Sequence, residues 1–288
     1  MERSFRAMGT EVTLLAHDAP GRIFGAALEA VVAIFEREEQ RFSRFRDDSE
    51  LAQLNRSTGT WVEATSPFLE VVRLALDGAE ATHGLFDPTV LRALEAAGYD
   101  RTFVTIEEQS GVHHEPVPCG RWREIDLRDD HIHVPEGVGL DLGGLVKGWT
   151  ADLAAEAAVA SGLDWAVVNA GGDLRIAGDG PPLEIGIQEP DCAEEIACRV
   201  RVDGGALATT SVTQRRWGPD LHHVIDPRIG LPARTPVLQA TIWDETCATA
   251  EIASKRALLE GVAALDELSG VLILTSGEIV MNLASEAA

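Results

Sequence analysis

The period of the apolar pattern changes repeatedly along this chain, and that constrains the fold more than any single motif does. "TEVTLLAHD", residues 10–18, alternates polar and apolar side chains, as a strand with one buried face does, and Asp18, Pro20 and Gly21 close it. Directly afterwards Ile23, Ala27, Ala30, Val31, Ile34 and Phe35 recur at helical spacing, which predicts a long amphipathic helix over residues 22–41. "SPFLEVVRLALDGAEATHG" reads as a second helix with a Ser-Pro start and a glycine stop, and "TADLAAEAAVASG" as a third. "ATAEIASKRALLEG", residues 248–261, is a fourth. Between them lie the strand-like segments "HIHVP", "WAVVNAGGDLRIAG", "LEIGIQEP" and "LQATIWD". "VLILTSGEIVMNL" reads as a closing β-hairpin with Ser-Gly at its turn. Helices and strands mix without strict βαβ alternation, so the expected fold class is α+β, a mixed, largely antiparallel sheet flanked by helices. No internal repeat, low-complexity stretch or linker interrupts the chain, and residues 1–284 are expected to form a single unit.

The charge balance narrows the function. With 47 acidic against 24 basic residues the chain carries −23, a field that excludes general attraction to nucleic acid or to an anionic membrane. No apolar run reaches the roughly 18 residues that span a bilayer, so no membrane insertion is expected. An anionic ligand would need a local device on such a chain: a Lys or Arg, a helix N-terminus, or a divalent cation. The four cysteines, 119, 192, 198 and 247, show no CxxC or zinc-ribbon spacing. Cys192 and Cys198 are close enough in sequence to pair, but four reduced thiols is the simpler reading. The N-terminus shows no apolar signal segment and no lipobox cysteine; together these give a cytoplasmic expectation.

Four stretches are richer in Gly, Asp and His than packing requires. "DLGGLVKG", Asp141–Gly148, has paired glycines that permit close backbone approach and places Lys147 at an incoming helix end, where the dipole also favours an anion. A tight turn with a solvent lysine would read the same, and the spacing is not that of a Walker A loop. "NAGGDLRIAGDG", Asn169–Gly180, lacks the dinucleotide fingerprint and reads as turn chemistry. "LHHVIDPRIG" offers His223 and Asp226 three apart for proton transfer, or an Asp-Pro turn, with no zinc-ligand spacing around it. In the fourth stretch Glu251 and Lys255 stand one helical turn apart, an arrangement worth only ~0.2–0.5 kcal/mol on a helix surface. The same stripe continues into Leu258 and Leu259, which favours a cleft over open solvent.

Taken in order, nine blocks resemble the ApbE family of flavin transferases (FAD:protein FMN transferases). They are "AMGTEV" at 7–12, "FSRFRDDSELAQLN" at 42–55, "GLFDPTV" at 84–90, "DLGGLVKGWTADLAAE" at 141–156 and "VVNAGGDLRIAG" at 167–178. "IGIQEP" at 185–190, "ALATTS" at 206–211, "HHVIDPRIGLPA" at 222–233 and "ATAEIASKRALLEG" at 248–261 complete the set. The resemblance implies cleavage of FAD at its pyrophosphate and attachment of FMN, through a phosphoester, to a Thr or Ser of an acceptor flavoprotein, with release of AMP. The acceptor would carry an Asp/Ser-Gly-Ala-Thr-like motif. By position, FAD would be contacted by Met8, Phe45, Leu85, Phe86, Asp87, Asp141, Lys147 and Ile225. His223 and Asp226 would lie near the acceptor hydroxyl. Magnesium (Mg2+) would be held by the Gly144 carbonyl together with Glu251 and Ser254.

One block departs from the family's pattern. The metal-binding helix of the resemblance carries Asp and Thr four apart, where this chain has Glu251 and Lys255. Glutamate keeps an oxygen ligand, whereas a protonated lysine cannot ligate a metal. Two consequences are open: Lys255 joins the catalytic set as an ammonium in the magnesium position, or the site has become that of a non-catalytic FAD-binding protein or an FAD pyrophosphatase.

Overall fold

The computed structural model describes residues 1–17, 19–108 and 115–283; Asp18 and residue 284 lie outside the described residues. Among the described residues six α-helices run Gly21–Phe42 (α1), Glu50–Arg56 (α2), Ser66–Ala81 (α3), Leu91–Ala96 (α4), Val146–Ala160 (α5) and Cys247–Glu260 (α6). By packing, the described residues within 1–37, 147–213 and 235–288 group into one compact unit and those within 38–146 and 214–234 into another.

The first unit is built on an eight-stranded sheet whose spatial order follows the chain: Glu2–Ala7 (β1), Thr10–Leu15 (β2), Trp165–Ala170 (β3), Leu174–Gly178 (β4), Gly205–Ser211 (β5), Val237–Asp244 (β6), Ser269–Leu274 (β7) and Ile279–Met281 (β8). Every neighbouring pair is antiparallel, so the largely antiparallel sheet expected from the sequence is antiparallel throughout. The strand expected in residues 10–18 is β2, and β1 pairs with it across a turn at Met8-Gly9, with Ala7 opposite Thr10. "WAVVNAGGDLRIAG", read as one strand, folds at Gly171-Gly172 between β3 and β4.

Alternation along the strands feeds two cores. On one face Val12, Leu14, Ala166, Val168 and Ala170 pack with Phe24, Ala27, Val31 and Phe35 of α1 and with Ala151, Ala154, Ala155 and Ala158 of α5. The run of alanines lets α5 lie close to the sheet, since each leaves little side chain between backbone and strand. On the other face Val167, Ile176, Leu207 and Val271 meet Ile187, Val200 and Val202 of an antiparallel hairpin, Leu183–Glu189 with Cys192–Val202. All four cysteines are free thiols. Helix α6 packs on β5 and β6, and ten of its fourteen residues are buried.

The second unit holds α2, α3 and α4, a small sheet ordered Trp61–Glu63, His131–His133, Asp126–Arg128, and two short hairpins from residues 216–232. Ser49 caps α2 by accepting the Ala52 N–H at 3.0 Å. Asn55 pairs its side-chain amide with both backbone groups of Leu140, at 2.8 and 2.9 Å, as a strand neighbour would. Tyr99, Trp217, Leu221 and Ile225 form its apolar centre with Leu94 and Ala97, and the Trp217 indole donates to the Ala97 carbonyl at 2.9 Å.

Candidate active site

In the first unit the site begins with two turns. Met8 and Gly9 form the two-residue β1–β2 hairpin loop, both with positive φ (50° and 69°), as a type I′ turn demands. A left-handed methionine is strained, so the turn holds its side chain at some cost in backbone energy. Gly171, in the β3–β4 turn, also has positive φ, and a Cβ there would lie 2.1 Å from the Thr10 hydroxyl. The "MGT" and "NAGGD" blocks are therefore neighbouring turns that only glycine lets meet. Asn169 accepts the Gly172 N–H at 3.0 Å and fixes the second turn, and that turn presents Asp173.

Asp173 belongs to a cluster of four charged side chains, with Lys147, Glu251 and Lys255. Lys147, in the first turn of α5, hydrogen-bonds both Asp173 and the Glu251 Oε1, the latter at 2.9 Å. The other Glu251 oxygen, Oε2, accepts the Gly148 N–H at 2.9 Å, one of the orphan amides at the start of α5. Lys255 Nζ lies 3.4 Å from the Glu251 backbone carbonyl and 3.9 Å from Oε1. The two carboxylate side chains are each 3% exposed, and Lys147 and Lys255 are 16% and 21% exposed. Glu251 is therefore no surface partner of Lys255; it is the buried hub of a formally neutral quartet.

The helices that carry this quartet are tied reciprocally. Asp152 of α5 accepts the Cys247 and Ala248 N–H groups that open α6, at 2.8 and 3.0 Å, and Arg175 of β4 stands 3.3 Å from the same carboxylate. Glu251 of α6 returns the contact to Gly148 of α5. The approach is closest at Gly148, where a Cβ would be 2.6 Å from the Cys247 carbonyl oxygen. Burial pushes the Asp152 carboxyl up to about 6 despite its amide donors and Arg175. Burial together with the charge of Glu251 also raises Asp173, against the pull of Lys147. Burial would raise Glu251 too, but Lys147 and Lys255, with the Gly148 donor, outweigh it and hold Glu251 below its usual range.

The donors on α6 do not fit the magnesium ion that the resemblance implies. Both Glu251 oxygens are engaged, and Ser254, wholly buried, spends its hydroxyl on Thr210 Oγ1 at 2.7 Å and on the Glu251 carbonyl at 2.9 Å. Mg2+ takes near-octahedral oxygen ligands at roughly 2.0–2.1 Å. Here it would also meet two ammonium groups: like unit charges 4 Å apart cost about 4 kcal/mol at an effective dielectric of about 20, and a dication doubles that. Among the described residues no three His, Cys, Asp or Glu side chains are grouped to hold a metal. Gly144, the remaining expected ligand, belongs to the second unit and stands in the turn that leads into α5.

In the second unit the expected residues gather in three places. Phe45 is 40% exposed; the Arg44 guanidinium lies 4.2 Å from its ring and 4.4 Å from that of Tyr99. Arg44 also pairs with Asp141 at 2.8 Å, which brings Phe45 and Asp141 together. Its Nη2 is buried and without a hydrogen-bond partner among the described residues. Asp87 is buried beside Phe86 and Leu85 and is fully used in holding its loop: Thr89 donates twice, at 2.7 and 2.6 Å, and the Gly120 N–H once, at 2.6 Å. The third group is the "HHVIDPRIG" segment. Asp226 is clamped by Arg228 at 2.8 and 2.7 Å, and Ile225 is buried in the apolar centre. His222 accepts the Val224 N–H on Nδ1 at 3.3 Å and donates from Nε2 to Ala233 at 3.0 Å, which makes it a neutral structural histidine; burial lowers its pKa accordingly. His223 places Nδ1 3.2 Å from the Gln214 carbonyl.

Asp173, Asp152, Arg175 and Arg44 were not singled out from the sequence. Asp173, Asp152 and Arg44 have hydrogen-bond partners 26, 95 and 55 positions away, and Arg175 also donates to the Glu245 carbonyl, 70 positions away, so no local spacing exposes them. For Asp173 a signal existed in the paired glycines before it.

A model of the ApbE family matches residues 8–270. The FAD:protein FMN transferase of Vibrio cholerae is 25% identical over 292 residues, covering 94% of this chain and 83% of the relative. That of Treponema pallidum is 30% identical over 244 residues, covering 76% and 67%. Among solved structures, the ApbE protein of Thermotoga maritima aligns with a TM-score of 0.83 at 27% identity over 98% of this chain and 96% of that one. The flavin transferase ApbE of Vibrio cholerae, at 21% identity, shares the fold with a TM-score of 0.78 over 99% and 97%.

Proposed function

Because the chain belongs to the ApbE family, we propose that it is an FAD:protein FMN transferase, which cleaves FAD at its diphosphate and joins the FMN half to a Thr or Ser hydroxyl of an acceptor protein, releasing AMP. The observation that carries this reading is the family match across residues 8–270, together with relatives bearing that name over most of their length. The chemistry asks the protein for charge neutralisation and in-line placement of the hydroxyl, and little else. On a chain of −23, the lysines of the α5–α6 quartet are a local device of the kind an anionic diphosphate requires.

In this reading Met8, a polarisable thioether held at a turn tip, and Phe45, a half-exposed aromatic, are each of a kind that contacts a flavin ring system. Leu85, Phe86 and Ile225 supply apolar contact, and Asp87 and Asp141 fix the loops that carry it. Lys147 and Lys255 attend the phosphates. His223 takes the acceptor proton, since both ring nitrogens of His222 already serve the backbone, and Asp226 positions the segment through Arg228. The acceptor presents its hydroxyl in an Asp/Ser-Gly-Ala-Thr-like motif. Four free thiols support work in a reducing compartment such as the cytoplasm; no helix among the described residues is long and apolar enough to cross a membrane.

The test is incubation with FAD and a protein carrying that motif, followed by denaturing electrophoresis and AMP measurement. Flavin fluorescence that stays with the acceptor band, with equal AMP, is the expected result. AMP without labelled acceptor would make the chain an FAD pyrophosphatase, and bound yellow flavin with neither product would make it a flavin-binding protein.

A further inference from the structure

We propose that Lys255 is the built-in cation of this site, so that the chain binds FAD and cleaves its diphosphate without a divalent metal ion; the inference rests on the flavin-transferase reading above. Three observations on α6 carry it. First, the carboxylate that a metal would need is spent: Lys147 and Lys255 share Oε1, and the Gly148 N–H takes Oε2. Second, the hydroxyl one turn along, Ser254, is wholly buried and engaged by Thr210 and the Glu251 carbonyl. Third, Lys255 is a fixed ammonium, drawn back over its own helix turn by the Glu251 carbonyl at 3.4 Å and its carboxylate at 3.9 Å, and still 21% exposed.

Charge balance points the same way. Lys147 and Lys255 offset Asp173 and Glu251, so an incoming diphosphate meets a neutral cluster rather than the field of the whole chain. Remove Lys255 and the remaining three groups carry a net negative charge, the condition under which a metal ion would become necessary. Lys147 lies between two carboxylates, and Lys255, 21% exposed against 16% for Lys147, is the more accessible ammonium of the two.

In the transfer step the acceptor oxygen forms a bond to the phosphorus of the FMN half while the bond from that phosphorus to the bridging oxygen breaks. The bridging oxygen leaves with AMP, and the hydroxyl proton departs to solvent. No group is oxidised or reduced. Lys255 keeps its proton throughout and acts by stabilising charge on the phosphate oxygens as the bond opens.

The experiment compares metal-stripped protein in excess EDTA with the same protein in Mg2+, reading FAD binding by flavin fluorescence and cleavage by AMP release. FAD affinity and AMP release within about twofold in the two conditions are expected. Lys255→Gln should lose roughly 100-fold or more in AMP release in either, the scale of removing one donor that acts in the transition state. An unchanged melting temperature would show that the variant is folded. Wild-type release that collapses in EDTA and returns with Mg2+ would overturn the proposal, as would a folded Lys255→Gln that cleaves FAD at the wild-type rate. Failure to bind FAD in either condition would instead bring down the flavin reading itself.

Discussion

Acidic side chains are used in opposite ways by the two units. In the second unit three Asp side chains are each closed off by their own partners: Asp226 by Arg228, Asp141 by Arg44 and the Gly143 N–H, Asp87 by Thr89 and Gly120. These pairs fix loops. In the first unit Asp173 and Glu251 share Lys147, and the cluster reaches partial exposure only through its lysines. A closed pair holds shape, whereas a shared network leaves charge that a ligand can redistribute.

The sharpest way to break that contrast is Glu251→Gln, which leaves two lysines without their common anion. Breaking a buried charge network by removing one partner costs about 3–5 kcal/mol, and urea denaturation should show a loss of that size. A loss near zero would mean that the quartet is solvated rather than shared. Next comes Gly148→Ala, whose Cβ would meet the Cys247 carbonyl oxygen at 2.6 Å. Forcing a methyl into backbone contact costs typically about 1–3 kcal/mol, and FAD binding should weaken with it because the Gly148 N–H loses its aim at Glu251. Asp226→Asn should cost less, about 1–2 kcal/mol, because Arg228 is 56% exposed and can turn to water. An effect equal to that of Glu251→Gln would erase the distinction between the units.

A last expected effect is one of pH. Asp152 has its carboxyl raised to about 6 by burial, above the ordinary 3.8. The native state therefore binds this proton more readily than the unfolded chain between those values. The contribution to stability grows as pH falls through the window, is lost as pH rises through it, and is flat above it. Asp152→Asn removes that response. Denaturation curves from pH 7 down to pH 4 should show the variant losing ground to the parent below pH 6; parallel curves would place Asp152 in a solvated setting.

Much of the fold was legible because local periodicity carries it. The helix expected over 22–41 is α1, the Ser-Pro start is that of α3, and Ser276-Gly277 turns the closing hairpin as expected. The Gly171-Gly172 hairpin was hidden because its turn is only a few residues long and apolar residues run through both arms, and β1 because ERSFRA carries no sustained apolar alternation. The candidate site was legible through ordered motifs and not through spacing. The helical i, i+4 rule pairs Glu251 with Lys255, yet the closer side-chain contact of Glu251 is Lys147, 104 positions away. The same holds for Arg44, whose sandwich with Phe45 and Tyr99 and bond to Asp141 bring together three segments of the chain.

The reciprocal tie between α5 and α6 has a kinetic consequence. Each helix lends a carboxylate to the other's opening amides: Asp152 to Cys247 and Ala248, Glu251 to Gly148. None of these three amide protons can reach solvent by fraying of its own helix end alone. They should exchange with deuterium together, at one rate set by separation of the two helices, even though Gly148 and Cys247 are almost a hundred residues apart in the chain.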